Sequence, residues 1–271
     1  MSYGSDFVLT LFTNDPALAR RADEAGIDRI GLDLERHAKT ERQDGRKTWI
    51  SDHEEDDLPA IAGSLARAKL FVRTDPVHDG LKEEIDRVIG MGAQVLMLPY
   101  FHDADEAARF VEFVGGRATV SLLLETAQAA ARIRDIVRLD GVDEIHVGLN
   151  DLYLTLGLSS HFEVLASSLL DMLSDVVVGA GIPFGFGGIG RLGDDRLPVS
   201  SDLVYAQHPR LGSTRALVSR VFLSPDPSAV DIAAEIARFR ARLDYWASRS
   251  AEELAAAREA LHREAQRQAR A

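Results

Sequence analysis

TVSLLLETAQAA (119–130) and DEIHVGLNDL (143–152) decide the fold. Each opens as a short β-rich run that is apolar almost without a break, and each ends near a carboxylate, Glu125 or Asp151. A helical run over 127–137 joins them. Near-continuous apolar strands are what a parallel sheet buried on both faces demands. Working outward, the same alternation recurs. FVLTLF (7–12), RIGLDLE (29–35), KLFVRT (69–74) and QVLMLPYF (94–101) precede it, and PFGFGGI (183–189) and DLVYAQ (202–207) follow. Helical runs are expected at 15–25, 54–66, 79–91, 104–114 and 161–180. Ser51 with Glu54, and Asp103 with Glu106, have the spacing of helix-starting capping pairs. Eight β runs joined by helices predict the α/β class and a single (β/α)8 TIM barrel. A doubly wound open sheet is the alternative.

The barrel is expected over 1–225, with additional C-terminal helices over 226–271. There Ile232, Ile236, Phe239, Leu243 and Trp246 form one apolar helical stripe, and Ser250 with Glu253 caps a final helix. Such a stripe packs either on its own barrel or, as an oligomerisation arm, on a neighbouring subunit. Amphipathicity alone leaves both open.

Composition narrows the chemistry. The 271 residues suffice for a full core without staples. No cysteine is present, so disulfides, thiolate metal sites and cysteine nucleophiles are excluded. A net charge of −12 and a sequence pI near 5.1 argue against nucleic acid as a partner. No apolar run reaches the roughly 18 residues of a membrane span, and no signal-peptide pattern is seen. A cytoplasmic protein is expected.

In a barrel of this kind the chemistry stands at the C-terminal ends of the strands. Glu125 and Asp151 end successive strands, so both carboxylates would face one mouth. Such a pair suits Mg²⁺ or Mn²⁺, with substrate oxygens of a 2-keto acid completing the shell. Two helix-capping or loop carboxylates would give the same spacing. Arg73 has the reach to hold a carboxylate or enolate oxygen, or else a salt bridge to Asp33 or Glu35. In GFGGIG (185–190), Gly187 and Gly188 could cradle an anion through backbone N–H groups, although tight turns explain the glycines equally. Ser213 and Arg215 offer a phosphate site or a helix start. His146 reads as a barrel-wall residue and His53 as a solvated loop residue. His37 is the histidine best placed for acid–base work. No nucleophile elbow, phosphate-binding P-loop or HExxH motif occurs.

Taken together these residues resemble the HpcH/HpaI aldolase and citrate lyase β-subunit family, a metal-dependent barrel of the phosphoenolpyruvate/pyruvate type. The resemblance spans roughly 7–222. It rests on LTLFTND, AGIDRIGLDLE, FVRTD, GAQVLMLPY, LLLETAQAA and GVDEIHVGLNDL. It implies that Glu125 and Asp151 hold the metal, that Arg73 binds the substrate carboxylate, and that Asp33 and Glu35 form the acidic end of strand 2. Lys39 and Arg42 follow in a similar downstream pattern. It also implies a homo-oligomer, a trimer or hexamer. One departure stands out. The aldolase branch has a histidine base directly after its acidic motif and the lyase branch an aspartate, whereas this chain has Arg36 there and His37 one place later. The function implied is a class II-type carbon–carbon lyase working through a pyruvate or oxaloacetate enolate, with Arg73, His37 and Arg36 as candidate catalytic groups. The alternatives are a malyl- or citramalyl-CoA type lyase and a non-catalytic keto-acid binder.

Overall fold

The computed structural model describes residues 2–36, 51–223 and 226–269. Eight parallel strands close a barrel in sequence order. They are β1 (Val8–Phe12), β2 (Arg29–Asp33), β3 (Lys69–Arg73), β4 (Val95–Leu98), β5 (Thr119–Leu124), β6 (Glu144–Val147), β7 (Phe184–Ile189) and β8 (Arg215–Val218). β8 pairs back onto β1 through Val8–Arg215 and Thr10–Leu217, which shuts the sheet.

The alternation of the strands sets the layers. In β2, Ile30 and Leu32 join the core beneath the helices, while Arg29 and Asp33 face the lumen. Arg29 reaches across to Glu144 on β6, and Asp33 reaches Arg73 on β3. Between these polar layers Phe71, Val95, Met97 and Leu123 form a separate apolar cluster that fills the barrel centre, with Phe12 against it. The barrel is thus a packed core and not a pore.

Seven of the eight expected strands fall where the apolar runs put them, and the eighth does not. DLVYAQ (202–207) lies inside the Ser201–Arg210 helix, where Tyr205, Ala206 and Gln207 are buried. The true β8 is RALV, a strand opened by an arginine. Arg215 pairs with Glu144 inside the barrel, and Ser213 is buried against His208 Nδ1 at 3.0 Å. The helix start expected there is instead the start of a strand, and the two side chains expected at a phosphate are engaged within the barrel. The expected Ser51–Glu54 pair is also displaced, since the capping box that forms joins Glu54 and Asp57. Asp103 does cap the Ala104–Val114 helix, accepting from the amides of Asp105 and Glu106. The runs at 127–137 and 161–180 each break into two helices, Ala127–Ala131 with Ile133–Ile136 and His161–Ala166 with Ser168–Gly179.

The C-terminal stripe packs on its own barrel. In the Ile232–Ala247 helix, Ile232, Ile236, Phe239 and Leu243 are buried, and the Phe239 ring meets Phe7 at 5.6 Å and Tyr205 at 4.8 Å. Polar contacts tie the same helix to the start of the chain. The Arg240 guanidinium donates to the carbonyls of Gly4 (2.7 Å) and Phe7 (2.9 Å), and the Asp244 carboxylate accepts from the Gly4 amide (2.7 Å) and the Ser2 hydroxyl (2.8 Å). The Ala251–Ala269 helix lies against the Ser201–Arg210 and His161–Ala166 helices and buries Leu261. The expected boundary at 225/226 adjoins residues 224–225, which lie outside the described residues. Among the described residues no helix is long and apolar enough to cross a membrane.

Candidate active site

The C-terminal rim gathers its charges on Arg73. This last residue of β3 is clamped by Asp33, the last residue of β2, with Nε at 2.8 Å from Oδ1 and Nη2 at 2.6 Å from Oδ2. Glu35, just beyond β2, lies 3.4 Å from the same Nη2. Burial disfavours the charged guanidinium, but Asp33, Glu35 and Glu125 outweigh it and raise the Arg73 pKa further above its usual range. The guanidinium also stacks over the Phe12 ring at 5.3 Å. The salt bridge from Arg73 to Asp33 and Glu35 is thus present, and the two carboxylates orient the guanidinium.

Glu125 follows β5 and is almost fully buried. Its Oε1 accepts the Tyr100 amide at 3.0 Å. Tyr100 takes the left-handed backbone to aim that amide, with φ +47. On its other side the carboxylate rests on Gly148, where a Cβ would stand 2.5 Å from Oε2. Only glycine therefore fits beneath it. Gly148 caps the Leu149–Thr155 helix, whose first turn carries Asp151. The β6 connection thus folds against one carboxylate and presents the second shortly after.

Three buried carboxylates, Asp33, Glu35 and Glu125, surround one part-buried guanidinium. Arg220, at the start of the short helix after β8, stands near both Asp33 and Arg73. Burial and the Arg73 charge lower its pKa, against the pull of Asp33. Buried charge that is not offset is costly, so a surplus of carboxylates favours a bound cation. The Glu125 and Asp151 donors are all oxygen, which suits a hard divalent ion. On both counts the residues fit the metal that the sequence suggests.

Among the described residues, one trio of ligating side chains is close enough together to hold a metal ion. Donor atoms of Asp75, His78 and Glu84 fall within 4.8 Å of one another. Their hydrogen bonds explain them as a clasp on the loop after β3. The Gly80 amide donates to His78 Nδ1 (3.1 Å), so His78 Nε2 carries the proton and donates to Glu84 Oε2 (3.2 Å), while Glu84 Oε1 accepts the Asp75 amide (3.1 Å).

Residues 7–185 match the HpcH/HpaI aldolase/citrate lyase family. The chain belongs to that family. Its members are lyases and aldolases that act on small keto-acids and generally depend on a divalent metal. Solved structures share the fold at low identity. An HpcH/HpaI aldolase from Desulfitobacterium hafniense DCB-2 superposes with a TM-score of 0.60 at 17% identity, covering 79% of this chain and 86% of that one. An HpcH/HpaI aldolase/citrate lyase family protein from Burkholderia cenocepacia J2315 gives 0.63 at 17% identity, covering 89% and 95%. The citrate synthase SbnG gives 0.58 at 19% identity, covering 79% and 86%. No curated protein matches the sequence.

Set in this family, the remaining expected site residues divide. His37, Lys39 and Arg42 lie outside the described residues. Arg36, the other expected catalytic arginine, is engaged with the loop residues beside the carboxylate cluster. Its amide donates to Asp75 Oδ1 (2.6 Å), and its exposed guanidinium donates to the His53 carbonyl (2.7 Å) and to Glu54 (2.7 Å). Gly187 sits at a register shift in β7 with φ +54, and its carbonyl accepts from His146 Nε2 at 3.0 Å. Its glycine character serves the backbone there. A Cβ on Gly188 would approach the Ser219 Cβ to 3.1 Å. His146 is a buried wall residue as expected, its pKa lowered to about 4 by burial.

His53 is a correction. It is part-buried, not solvated, and its Nδ1 accepts the Asp33 amide at 3.0 Å. It and Arg220 are the two rim groups that sequence reasoning missed. A histidine in a polar run far downstream of strand 2 gives no signal that the loop returns to that strand. Arg220 gives no signal because the apolar run at 202–207 points to a strand well before the true β8.

Proposed function

We propose that this barrel is a metal-dependent carbon–carbon lyase or aldolase that works through the enolate of pyruvate or oxaloacetate. The observation that carries it is the cluster of Asp33, Glu35 and Glu125 around Arg73, set on the same rim as the Asp151 helix turn. Arg73, held rigidly by Asp33, binds and orients the substrate carboxylate. Glu125 and Asp151 hold Mg²⁺ or Mn²⁺. When bound, such an ion supplies Lewis-acid stabilisation for the enolate oxygen. In the cleavage direction the C3–C4 bond of a 4-hydroxy-2-keto acid breaks and its electron pair enters the enolate. The C4 hydroxyl gives its proton to solvent and becomes a carbonyl, and C3 takes a proton from water. The barrel centre, plugged by Phe71, Val95, Met97 and Leu123, closes the lower side of the site to water.

The direct test is proton exchange. Metal-stripped protein is incubated with pyruvate in D₂O, and the methyl proton signal is followed with and without Mg²⁺ or Mn²⁺. Metal-dependent loss of the signal above a no-enzyme control is expected. No exchange with either ion sinks this reading and directs attention to CoA esters. Light scattering reads the accompanying expectation of a trimer or hexamer.

A further inference from the structure

We propose that His53 is a catalytic residue of this site, donating an Nε2–H hydrogen bond to the electrophile's oxygen as negative charge builds on it. The inference rests on the enolate reading above and assigns a group that the reading leaves without one. Arg73 and the carboxylate pair serve the enolate end of the substrate. The other atom that gains charge is the oxygen on the carbon that is attacked or released.

The geometry of His53 settles which nitrogen carries its proton. A backbone amide can only donate, so the Asp33 N–H at 3.0 Å requires a lone pair on Nδ1, and the ring proton must sit on Nε2. One contact holds the ring and two hold the His53 backbone. Asp33 fixes Nδ1, the His53 amide donates to Ser51 Oγ at 3.3 Å, and the His53 carbonyl accepts from Arg36 at 2.7 Å. Asp33 is also the residue that clamps Arg73, so one β2 residue positions both the substrate arginine and this imidazole.

Among the other described histidines, His78 shows the same device with its output already engaged, while His146 and His208 are held differently. His78 has Nδ1 fixed by the Gly80 amide and its Nε2–H on Glu84. His146 has its Nε2 on the Gly187 carbonyl. His208 is sealed away from the rim, stacked on Phe186 at 4.3 Å with Ser213 on Nδ1. For His53, no described residue accepts the Nε2–H. The charged groups facing the ring are Asp33 on β2, Asp52 and Asp57 on its own segment, and Arg220 after β8. Burial and Arg220 favour the neutral ring, the three aspartates oppose them, and the net effect is a lowered pKa. Protonation at Nδ1 would also break the Asp33 contact. An imidazole held neutral with its proton on Nε2 works as an electrophilic donor and not as a base. It stabilises an alkoxide without giving up its proton, so no counter-step is needed.

The test uses the full chain loaded with Mg²⁺ or Mn²⁺, and three readouts. Long-range ¹H–¹⁵N spectra of ¹⁵N-histidine protein should show His53 as the neutral Nε2–H form through and below the usual histidine range; an Nδ1–H form overturns the proposal. Aldol addition of pyruvate is then measured with glyoxylate, glycolaldehyde and acetaldehyde, using the fastest. His53→Phe should lower kcat by ~10²–10³, the scale for losing one preorganised donor, with little change in KM. His53→Gln, which keeps an N–H near the ε position, should recover much of that loss. Pyruvate methyl exchange in D₂O should survive in both variants, because it needs only the enolate end. Unchanged addition in His53→Phe overturns the proposal. So does an equal loss of exchange and addition in a variant whose circular dichroism and thermal unfolding match wild type. A wild-type protein without exchange instead refutes the enolate reading itself, which separates the two failures.

Discussion

The barrel carries an arginine–carboxylate cluster at each end, and the two are built to opposite balances. At the N-terminal ends of the strands, Glu144 is held by two guanidiniums. Arg29 approaches its two oxygens at 2.6 and 2.8 Å, and Arg215 binds Oε2 as well. At the C-terminal ends, three carboxylates crowd a single clamped arginine, with Arg220 at the edge. The lower cluster is saturated from within the chain and joins three strands, β2, β6 and β8. In the upper cluster the three carboxylates Asp33, Glu35 and Glu125 outnumber the guanidiniums of Arg73 and Arg220. The difference teaches that similar residue pairs can be structure or site, and that the sign of the local surplus tells which.

The largest effect should come from emptying the surplus. Glu125→Gln is expected to abolish turnover, by ~10³ or more, and to remove metal binding measured by calorimetry. Its melting temperature should hold or rise, because a crowded buried charge is gone. Full activity in this variant would dissolve the contrast between the two ends. At the other end, Glu144→Gln strands two buried guanidiniums and should cost about 3–5 kcal/mol. Thermal unfolding should shift down by roughly 10 °C on that scale, while Mg²⁺ affinity measured on the folded protein stays unchanged. A loss of stability equal to that of Glu125→Gln would make the ends alike.

Arg73→Lys sharpens the comparison further. Lysine keeps the charge but not the planar fork that meets both Asp33 oxygens, so kcat/KM should fall about 10–100-fold with a modest stability cost. An unchanged value would reduce Arg73 to a point charge. The smallest effect concerns pH. Burial alone would raise the Glu144 pKa, but Arg29 and Arg215 overcome it and hold it below the ordinary carboxylate value. A depressed folded pKa contributes stability that is present above the ordinary value and is lost as pH falls through the folded one. Below about pH 4.5, the ordinary glutamate value, wild type should therefore destabilise more steeply than Glu144→Gln. Parallel melting curves from pH 7 to pH 3 would contradict this.

Much of the upper cluster was legible because strand ends are easy to find. Asp33, Arg73 and Glu125 each stand where an apolar run stops, and the (β/α)8 pattern then sends them to one rim. Glu35 follows directly. The failures have physical causes. DLVYAQ resembles a buried strand because the Ser201–Arg210 helix is covered on both sides, by the barrel and by the C-terminal helices. Spacing argued against it, since parallel strands need a crossover of a dozen or more residues, usually a helix, and none is patterned between 189 and 202. The real β8 hides because its first residue is an arginine whose partner, Glu144, is distant in sequence. His53 was invisible for a related reason. Its role depends on one amide of β2, and no side-chain pattern marks where a backbone N–H will point.

The contacts between the segment before β1 and the Ile232–Ala247 helix bear on how the chain folds. Gly4 and Phe7 give their carbonyls to Arg240, and Gly4 gives its amide to Asp244, so these contacts bridge nearly the whole sequence. Contacts between such distant residues are the last to repay the entropy of loop closure. A growing chain therefore carries its first strand with the carbonyls of Gly4 and Phe7 unclasped until the Ile232–Ala247 helix has left the ribosome. The segment before β1 is thus provisional through most of the barrel's assembly, and it locks only when the Ile232–Ala247 helix docks.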